Sequence, residues 1–179
     1  AVHFLLNAIA LYCIGRDLEL VHGTAKVTSL YIVSGAVAAG WSAIFLPDTP
    51  SVGASGAIFG LFGGVWADAV QNWGLMRQPY CLIGQLIFVT VLNLILGLHP
   101  YLDTYQHLGG LICGTALGCV ILVQERKDAR GRSRPLMKYQ RALILIGAIV
   151  ATFTIVLVAA LLAFDVDAHE FCPFCDKLS

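Results

Sequence analysis

The sequence predicts an all-helical bundle that crosses a membrane several times. Of its 179 residues, 58% are hydrophobic and only 12% are charged, a composition outside the range of soluble globular domains. The mean hydropathy is +0.80. Apolar stretches without charge recur along the whole chain, and about 20 such residues cross a hydrocarbon core of about 30 Å as a helix.

Six stretches free of charged residues are candidate spans. They cover residues 1–15, 27–47, 49–67, 78–102, 104–124 and 142–164. The first is short and begins without methionine, so we expect it to be a spanning helix entered partway along its length. It has neither the basic region nor the cleavage site of a signal peptide. We therefore predict one polytopic membrane domain over residues 1–164 and a non-cytoplasmic tail over 165–179.

The basic residues predict the orientation of the spans, because cytoplasmic loops carry the excess of Lys and Arg. Ten of the eleven fall in connections that six spans place on one face, three before residue 78 and seven after the fifth span. Those seven are Arg126, Lys127, Arg130, Arg132, Arg134, Lys138 and Arg141. Such a run between spans is more typical of a topology signal or a contact with anionic lipid than of nucleic-acid binding. We therefore expect the lipid bilayer as a partner and no nucleic acid.

Polar residues recur at the non-cytoplasmic ends of three spans. Spans one, three and five enter the bilayer from that side and carry, near the entry, His3 with Asn7, then Ser55, then His107. Polar side chains inside a bilayer are costly and by default mark a functional site. The four residues are expected at a similar depth, which predicts one site built from three helices.

Glycines on the same spans are expected to bring these helices together. Gly53 and Gly56 flank the serine of span three, and Gly110 and Gly114 share a helical face with the histidine of span five. Small residues let backbones approach closely in lipid. The spacing alone leaves an alternative open, in which glycines only pack helices and the serine only bonds a carbonyl of its own helix.

The residue types favour nucleophilic catalysis. A serine hydroxyl attacks an amide only when a base removes its proton, and neutral histidine suits that task near pH 7. Ser55 and His107 fill these two roles. The helix that begins at about Ser55 offers free backbone N–H groups to a developing oxyanion. His3 and Asn7 lie one helical turn apart and can add side-chain donors.

Other polar residues are expected to serve structure. Asp103 lies at a helix entry, where N-capping is a better interpretation than a third catalytic carboxylate. Asp68 is expected to reach the cytoplasmic interface. Gln85 and Asn93 are expected to make interhelical hydrogen bonds. His22 is expected to be an ordinary solvated histidine in a loop.

The six cysteines fall into two groups. Four lie within spans and are expected to be small apolar packing residues: Cys13, Cys81, Cys113 and Cys119. Cys172 and Cys175 form a CPFC sequence in the tail. We favour structural disulfides there, while a redox pair or half of a zinc site stays open.

At these residues the chain resembles the rhomboid family of intramembrane serine proteases. Residues 3–7 fit the family's HxxxN motif, 15–23 fit GxxxExxxG, 53–56 fit GxSG, and 107–114 fit HxxGxxxG. A lone GxSG is weak, whereas four motifs in order on the expected spans are specific. The tail cysteine pair is similar to that of plant-type rhomboids.

The resemblance implies a fold, a mechanism and a substrate class. It implies a rhomboid-like bundle with a Ser55/His107 catalytic dyad and an oxyanion hole from His3, Asn7 and the Ser55 backbone N–H. It implies no metal and no organic cofactor. The substrates would be transmembrane proteins, cleaved in or near their spans from the non-cytoplasmic side. For a eukaryotic member, the resemblance implies that the protein is located in the Golgi or plasma membrane.

The chain departs from the family pattern in two places. The helix and the Trp-Arg loop that precede HxxxN in rhomboids are not found in this sequence, so the six spans resemble the second to seventh helices of a seven-helix, mostly eukaryotic form. Phe59 stands where a tyrosine often packs on the catalytic histidine. Phenylalanine keeps the stacking surface and loses only the hydroxyl.

Two other function classes are weighed against the protease. One is an inactive rhomboid-like protein that binds transmembrane clients for trafficking or degradation; such relatives generally lack the serine or the histidine, and this chain has both. The other is a transporter with Ser55 and His107 in a polar pathway. The scarcity of carboxylates in the spans argues against transport.

Overall fold

The computed structural model describes residues 2–47, 53–97 and 103–164. Within these ranges the chain forms an all-helical bundle, as the sequence predicts. Its α-helices are α1 (Val2–Ala10), α2 (Arg16–His22), α3 (Thr24–Phe45), α4 (Ser55–Gln71), α5 (Pro79–Gly97), α6 (Thr104–Ile121) and α7 (Lys138–Ala163). The predicted tail, with Cys172 and Cys175, lies outside the described residues.

The first span is one rod with an irregular middle. A π-helical turn over Leu11–Gly15 joins α1 to α2. Gly23 ends the rod with φ of 85°, a conformation that glycine adopts without steric cost. Gly15 is the buried residue of the π-turn, on which the side chains of Leu11 and Leu61 pack. The rod lies beside α4 and contacts it mainly through this π-helical turn.

The centre of the bundle is the contact between α4 and α6, where two glycine stripes meet. A methyl group on Gly110 would overlap the carbonyl oxygen of Gly56, and one on Gly114 would overlap that of Gly60. Backbones in such contact admit no side chain between them. The predicted approach of these two spans is therefore confirmed, and α3 and α7 pack around the pair.

Two helices are long and apolar enough to span a bilayer by themselves. These are α3 and α7, while the apolar part of α5, Pro79–Asn93, is shorter. Many large apolar side chains of the described residues are exposed, among them Phe4, Ile32, Phe88, Ile149 and Phe153. The other four predicted spans stay predictions from hydropathy.

At the end of the bundle opposite Ser55 and His107, partly buried hydrogen bonds join the end of α4 to α2 and to the segment after α6. The carboxylate of Asp68 accepts bonds from the ring of His22 at 2.8 Å, from Asn72 at 2.6 Å and from Gln124 at 3.2 Å. The His22 side chain is only 2% exposed. The expectation of a solvated His22 is wrong, because the end of α2 lies against α4 and the ring replaces water as the partner of the carboxylate.

A second buried cluster attaches α7 to this end of the bundle. The Gln71 side-chain amide donates to the Cys119 carbonyl at 2.6 Å, and the Gln71 backbone carbonyl accepts from Gln140 at 2.9 Å and from Tyr139 at 3.2 Å. Gln71 and Gln140 are almost completely buried. These bonds join the last residue of α4 to α6 and to the first turn of α7, so the cluster fixes where α7 begins.

Two predictions about side chains on α5 are corrected. Asn93 donates to the Val89 carbonyl of its own helix at 2.7 Å, and Gln85 is exposed. The interhelical bond of α5 is instead made by Thr90, which accepts from the Trp66 indole at 3.1 Å. The short Thr90 hydroxyl reaches α4 because it lies on the side of α5 that packs there.

The span cysteines divide by position. Cys113 and Cys119 are buried on α6, as expected of packing residues, whereas Cys13 and Cys81 are exposed. The packing prediction is therefore wrong for these two, because their faces of the first span and of α5 have no neighbouring helix within the described residues.

Candidate active site

Ser55 is the first residue of α4. Gly53 and Ala54 lead into the helix, and the first helical hydrogen bond runs from the Ile58 N–H to the Ala54 carbonyl at 3.0 Å. The N–H groups that begin a helix have no acceptor within it. The Ser55 hydroxyl therefore lies beside free backbone donors and the positive end of the helix dipole.

His107 lies in the first turn of α6 and packs against α4. Its ring stacks on the Phe59 ring with centroids 4.1 Å apart and planes 13° from parallel. Phe59 follows Ser55 by one helical turn, so both lie on one face of α4. The structure thus brings Ser55, Phe59 and His107 together at the same end of the bundle, as their spacing predicted.

The supporting glycines explain how the two helices come this close. Gly56 is covered by the Gln106 side chain, and a methyl group there would lie 2.7 Å from the Gln106 Cγ. Gly110, one turn beyond His107, lies on the Gly56 carbonyl. A side chain at either glycine would push α6 away from α4 and would move His107 away from Ser55.

Asp103 caps α6, as predicted. Its carboxylate accepts from the Gln106 backbone N–H at 2.8 Å and from the Ser42 hydroxyl of α3. Both oxygens are therefore engaged in fixing the start of the helix that carries His107. The cap fixes the start of α6 against α3, and His107 follows it by one helical turn.

Gln106 is the residue of the site that sequence reasoning missed. The Ser55 hydroxyl donates to its side-chain oxygen at 3.2 Å, and Gln106 is 6% exposed. A polar residue directly before His107, three residues after the capping Asp103, was the available signal. A glutamine in the first turn of a helix is common, so the sequence alone did not indicate that Gln106 contacts Ser55.

Asn7 shares a cavity with Ser55. The cavity, of about 240 Å³, lies between α1, α4 and α5, and its lining includes Asn7, Ser55, Phe59 and Asn93. Asn7 is half-buried on α1. His3 lies one turn earlier on the same helix, and its side chain lies outside the described part. The geometry thus places Asn7 and Ser55, two of the predicted oxyanion donors, on one cavity.

A smaller cavity also borders the Phe59 ring. It measures about 70 Å³ and is lined by Phe59, Phe62, His107 and Leu111, with Thr90 and Asn93 of α5. Phe59, Phe62 and Asn93 line both this cavity and the cavity of Ser55, so the two cavities adjoin at these residues. Among the described residues, no cluster of three or more His, Cys, Asp or Glu side chains is placed to hold a metal.

Comparisons with known proteins agree with this geometry. The Rhomboid domain family matches residues 1–124. RHOMBOID-like protein 4 of Arabidopsis thaliana is 34% identical over 185 aligned residues, which cover 99% of this chain and 47% of that protein. The mitochondrial RHOMBOID-like protein 6 of the same plant is 28% identical, over 99% of this chain and 61% of its own length.

The similarity also extends to a relative named as inactive. Inactive rhomboid protein 1 of Danio rerio is 32% identical over 121 residues, which cover 68% of this chain and 14% of that protein. The chain spans about half the length of the plant relatives it matches. The match over residues 1–124 includes Ser55, His107 and the helices that carry them. The chain therefore belongs to the rhomboid family, whose members are integral membrane proteins.

Proposed function

We propose that this protein is an intramembrane serine endopeptidase that cleaves transmembrane proteins in or near their spans. The observation that carries the proposal is the stack of His107 on Phe59, on the face of α4 that begins with Ser55. A base must lie within reach of the hydroxyl it deprotonates. This stack holds the imidazole over the correct helix face.

In the proposed reaction, Ser55 Oγ attacks the scissile carbonyl carbon while His107 takes the hydroxyl proton. The resulting oxyanion is stabilised by backbone N–H groups at the start of α4 and by Asn7 and His3. Collapse of this intermediate breaks the C–N bond, and His107 returns the proton to the leaving amine. Water then attacks the acyl-enzyme by the same steps and releases Ser55.

Substrate is proposed to reach Ser55 between α1 and α5. The cavity that exposes the serine is lined by these two helices, and several side chains of α5, including Ile87, Phe88 and Val91, are exposed. Within the described residues α5 packs mainly on α4. An unwound segment of a membrane-spanning substrate can enter such a cleft from the bilayer. On the orientation that the basic loops predict, the site faces the non-cytoplasmic side.

The second candidate is a client-binding protein without catalysis, and the similarity to an inactive rhomboid favours it. The two functions differ in one measurement. The full-length protein is reconstituted in liposomes with a tagged transmembrane reporter, beside its Ser55→Ala variant. We expect cleavage by the wild type and none by the variant. Reporter that binds equally to both and stays intact would instead establish the client-binding function.

A further inference from the structure

The last helix presents two different faces along its length. Its buried face carries Gln140, Gly147, Ala151, Thr154 and Val158, and a methyl group on Gly147 would lie 2.5 Å from the Ala116 carbonyl of α6. The opposite face has no helix packed on it within the described residues. That face is the surface on which the inference rests.

The exposed face is a continuous stripe with a cationic end. Lys138 and Arg141 lie on its first turn and are both exposed. The stripe continues at intervals of three or four residues with exposed apolar side chains, at Leu145, Ile149, Phe153 and Val156. A shallow groove runs along the upper part of this stripe, between residues 148 and 160.

The cations of this turn are not neutralised by the protein. Among the ion pairs of the described residues, none includes Lys138 or Arg141. Two acids of the preceding loop have other partners: Asp128 pairs with Arg132 and accepts from two backbone N–H groups, and Glu125 accepts from the Ser133 hydroxyl. The turn therefore offers two uncompensated positive charges to an external anion.

The dimensions of the stripe fit one leaflet of a bilayer. From Leu145 to Val156 the helix rises about 16 Å at about 1.5 Å per residue, and half of a hydrocarbon core measures about 15 Å. The cationic turn lies one helical turn before this apolar stretch. On the orientation predicted by the basic loops, it lies at the surface of the cytoplasmic leaflet, which contains the anionic lipids.

We propose that α7 binds an anionic phospholipid of the cytoplasmic leaflet. The phosphate headgroup contacts Lys138 and Arg141, and the acyl chains follow the stripe from Leu145 to Val156. The two cations match the phosphate headgroup, and the apolar stripe matches the length of the acyl chains. A second protein helix would need no cations at this turn, so the lipid is the better occupant. The proposal is independent of whether Ser55 is catalytic.

The test is native mass spectrometry of the delipidated full-length protein with added dioleoyl phosphatidylserine or dioleoyl phosphatidylcholine. We expect the wild type to prefer the anionic lipid. The variant Lys138→Gln/Arg141→Gln should lose about 5-fold in affinity for each charge removed, since one such cation near the surface contributes about a 5-fold effect. Circular dichroism on heating checks that the variant is folded.

The matched control is Arg16→Gln/Arg77→Gln, which removes two exposed cations from the same face of the protein and should keep affinity for phosphatidylserine. Equal losses in both variants, or no loss in the α7 variant, would overturn the proposal. A short-chain phosphatidylserine should bind more weakly than the dioleoyl lipid, since the stripe contributes. A stable dimer that persists in added lipid and cross-links through cysteines introduced at position 149 would show that a second copy covers the face instead.

Discussion

The hydroxyl of Ser55 donates a hydrogen bond to the side-chain oxygen of Gln106, the residue that directly precedes His107. A hydroxyl has one proton, so in this arrangement the proton points to an amide oxygen. An amide is far too weak a base to accept that proton in catalysis. In the proposed mechanism this arrangement is a resting state, and the hydroxyl must rotate before His107 can take its proton.

Replacement of Gln106 by Met should increase the reactivity of Ser55. Methionine keeps the length of the side chain that packs on Gly56 and removes the competing acceptor. One neutral hydrogen bond corresponds to a rate increase of about 2- to 10-fold. The measurement is the rate of labelling by a fluorophosphonate. Adding His107→Ala should abolish the gain, and a slower rate in a folded Gln106→Met variant would assign Gln106 a supporting role.

Replacement of Asn7 by Ala should slow turnover while Ser55 stays reactive. Asn7 lines the cavity of Ser55, where its amide can donate to the oxyanion, and loss of one such donor lowers kcat by about 10²- to 10³-fold. Kinetics on a transmembrane reporter measure the loss, with fluorophosphonate labelling beside them. Wild-type turnover would restrict Asn7 to helix packing.

Replacement of Gly114 by Ala should reduce both stability and activity. The added methyl group overlaps the Gly60 carbonyl, and overpacking of this kind costs about 1–3 kcal/mol. Gly84→Ala is the matched control, since a methyl group there contacts nothing within 4 Å. Thermal unfolding and reporter cleavage should both distinguish the two variants. Equal behaviour would mean that α4 and α6 are not in backbone contact.

The pair of His22 and Asp68 should stabilise the bundle without acting in catalysis. Asp68→Ala leaves the buried His22 ring without its acceptor, at a cost of about 1–3 kcal/mol. His22→Ala should cost less, because Asp68 keeps its bonds from Asn72 and Gln124. In the double variant the costs should be less than additive, because the two side chains share one interaction. Denaturation of the four proteins in mild detergent measures the coupling. Strictly additive losses would contradict a direct bond.

The sequence predicted the class of fold and the close approach of α4 and α6, because hydropathy and glycine spacing are local signals. Partners that come from other helices were not accessible in the same way. His22 was expected in solvent, since nothing local shows that Asp68 lies beside it. Gln106 was missed because its partner is 51 residues away.

One position also shows the limit of helical geometry as a guide. Ala116 lies about 180° around α6 from Gly114 at about 100° per residue, and helical periodicity alone turns it away from the glycine stripe. It is buried, with its carbonyl against Gly147 of α7. In a central helix both faces are occupied, and periodicity on that helix alone does not distinguish a lipid face from a second interface.

The central claim, that Ser55 is a nucleophile activated by His107, is tested most directly by the site of covalent labelling. The full-length protein is treated with a fluorophosphonate, digested and sequenced by mass spectrometry, beside His107→Ala and Ser55→Ala. We predict one adduct, on Ser55, in the wild type and none in either variant. An adduct that survives in Ser55→Ala, or unchanged labelling in His107→Ala, would contradict the proposed dyad.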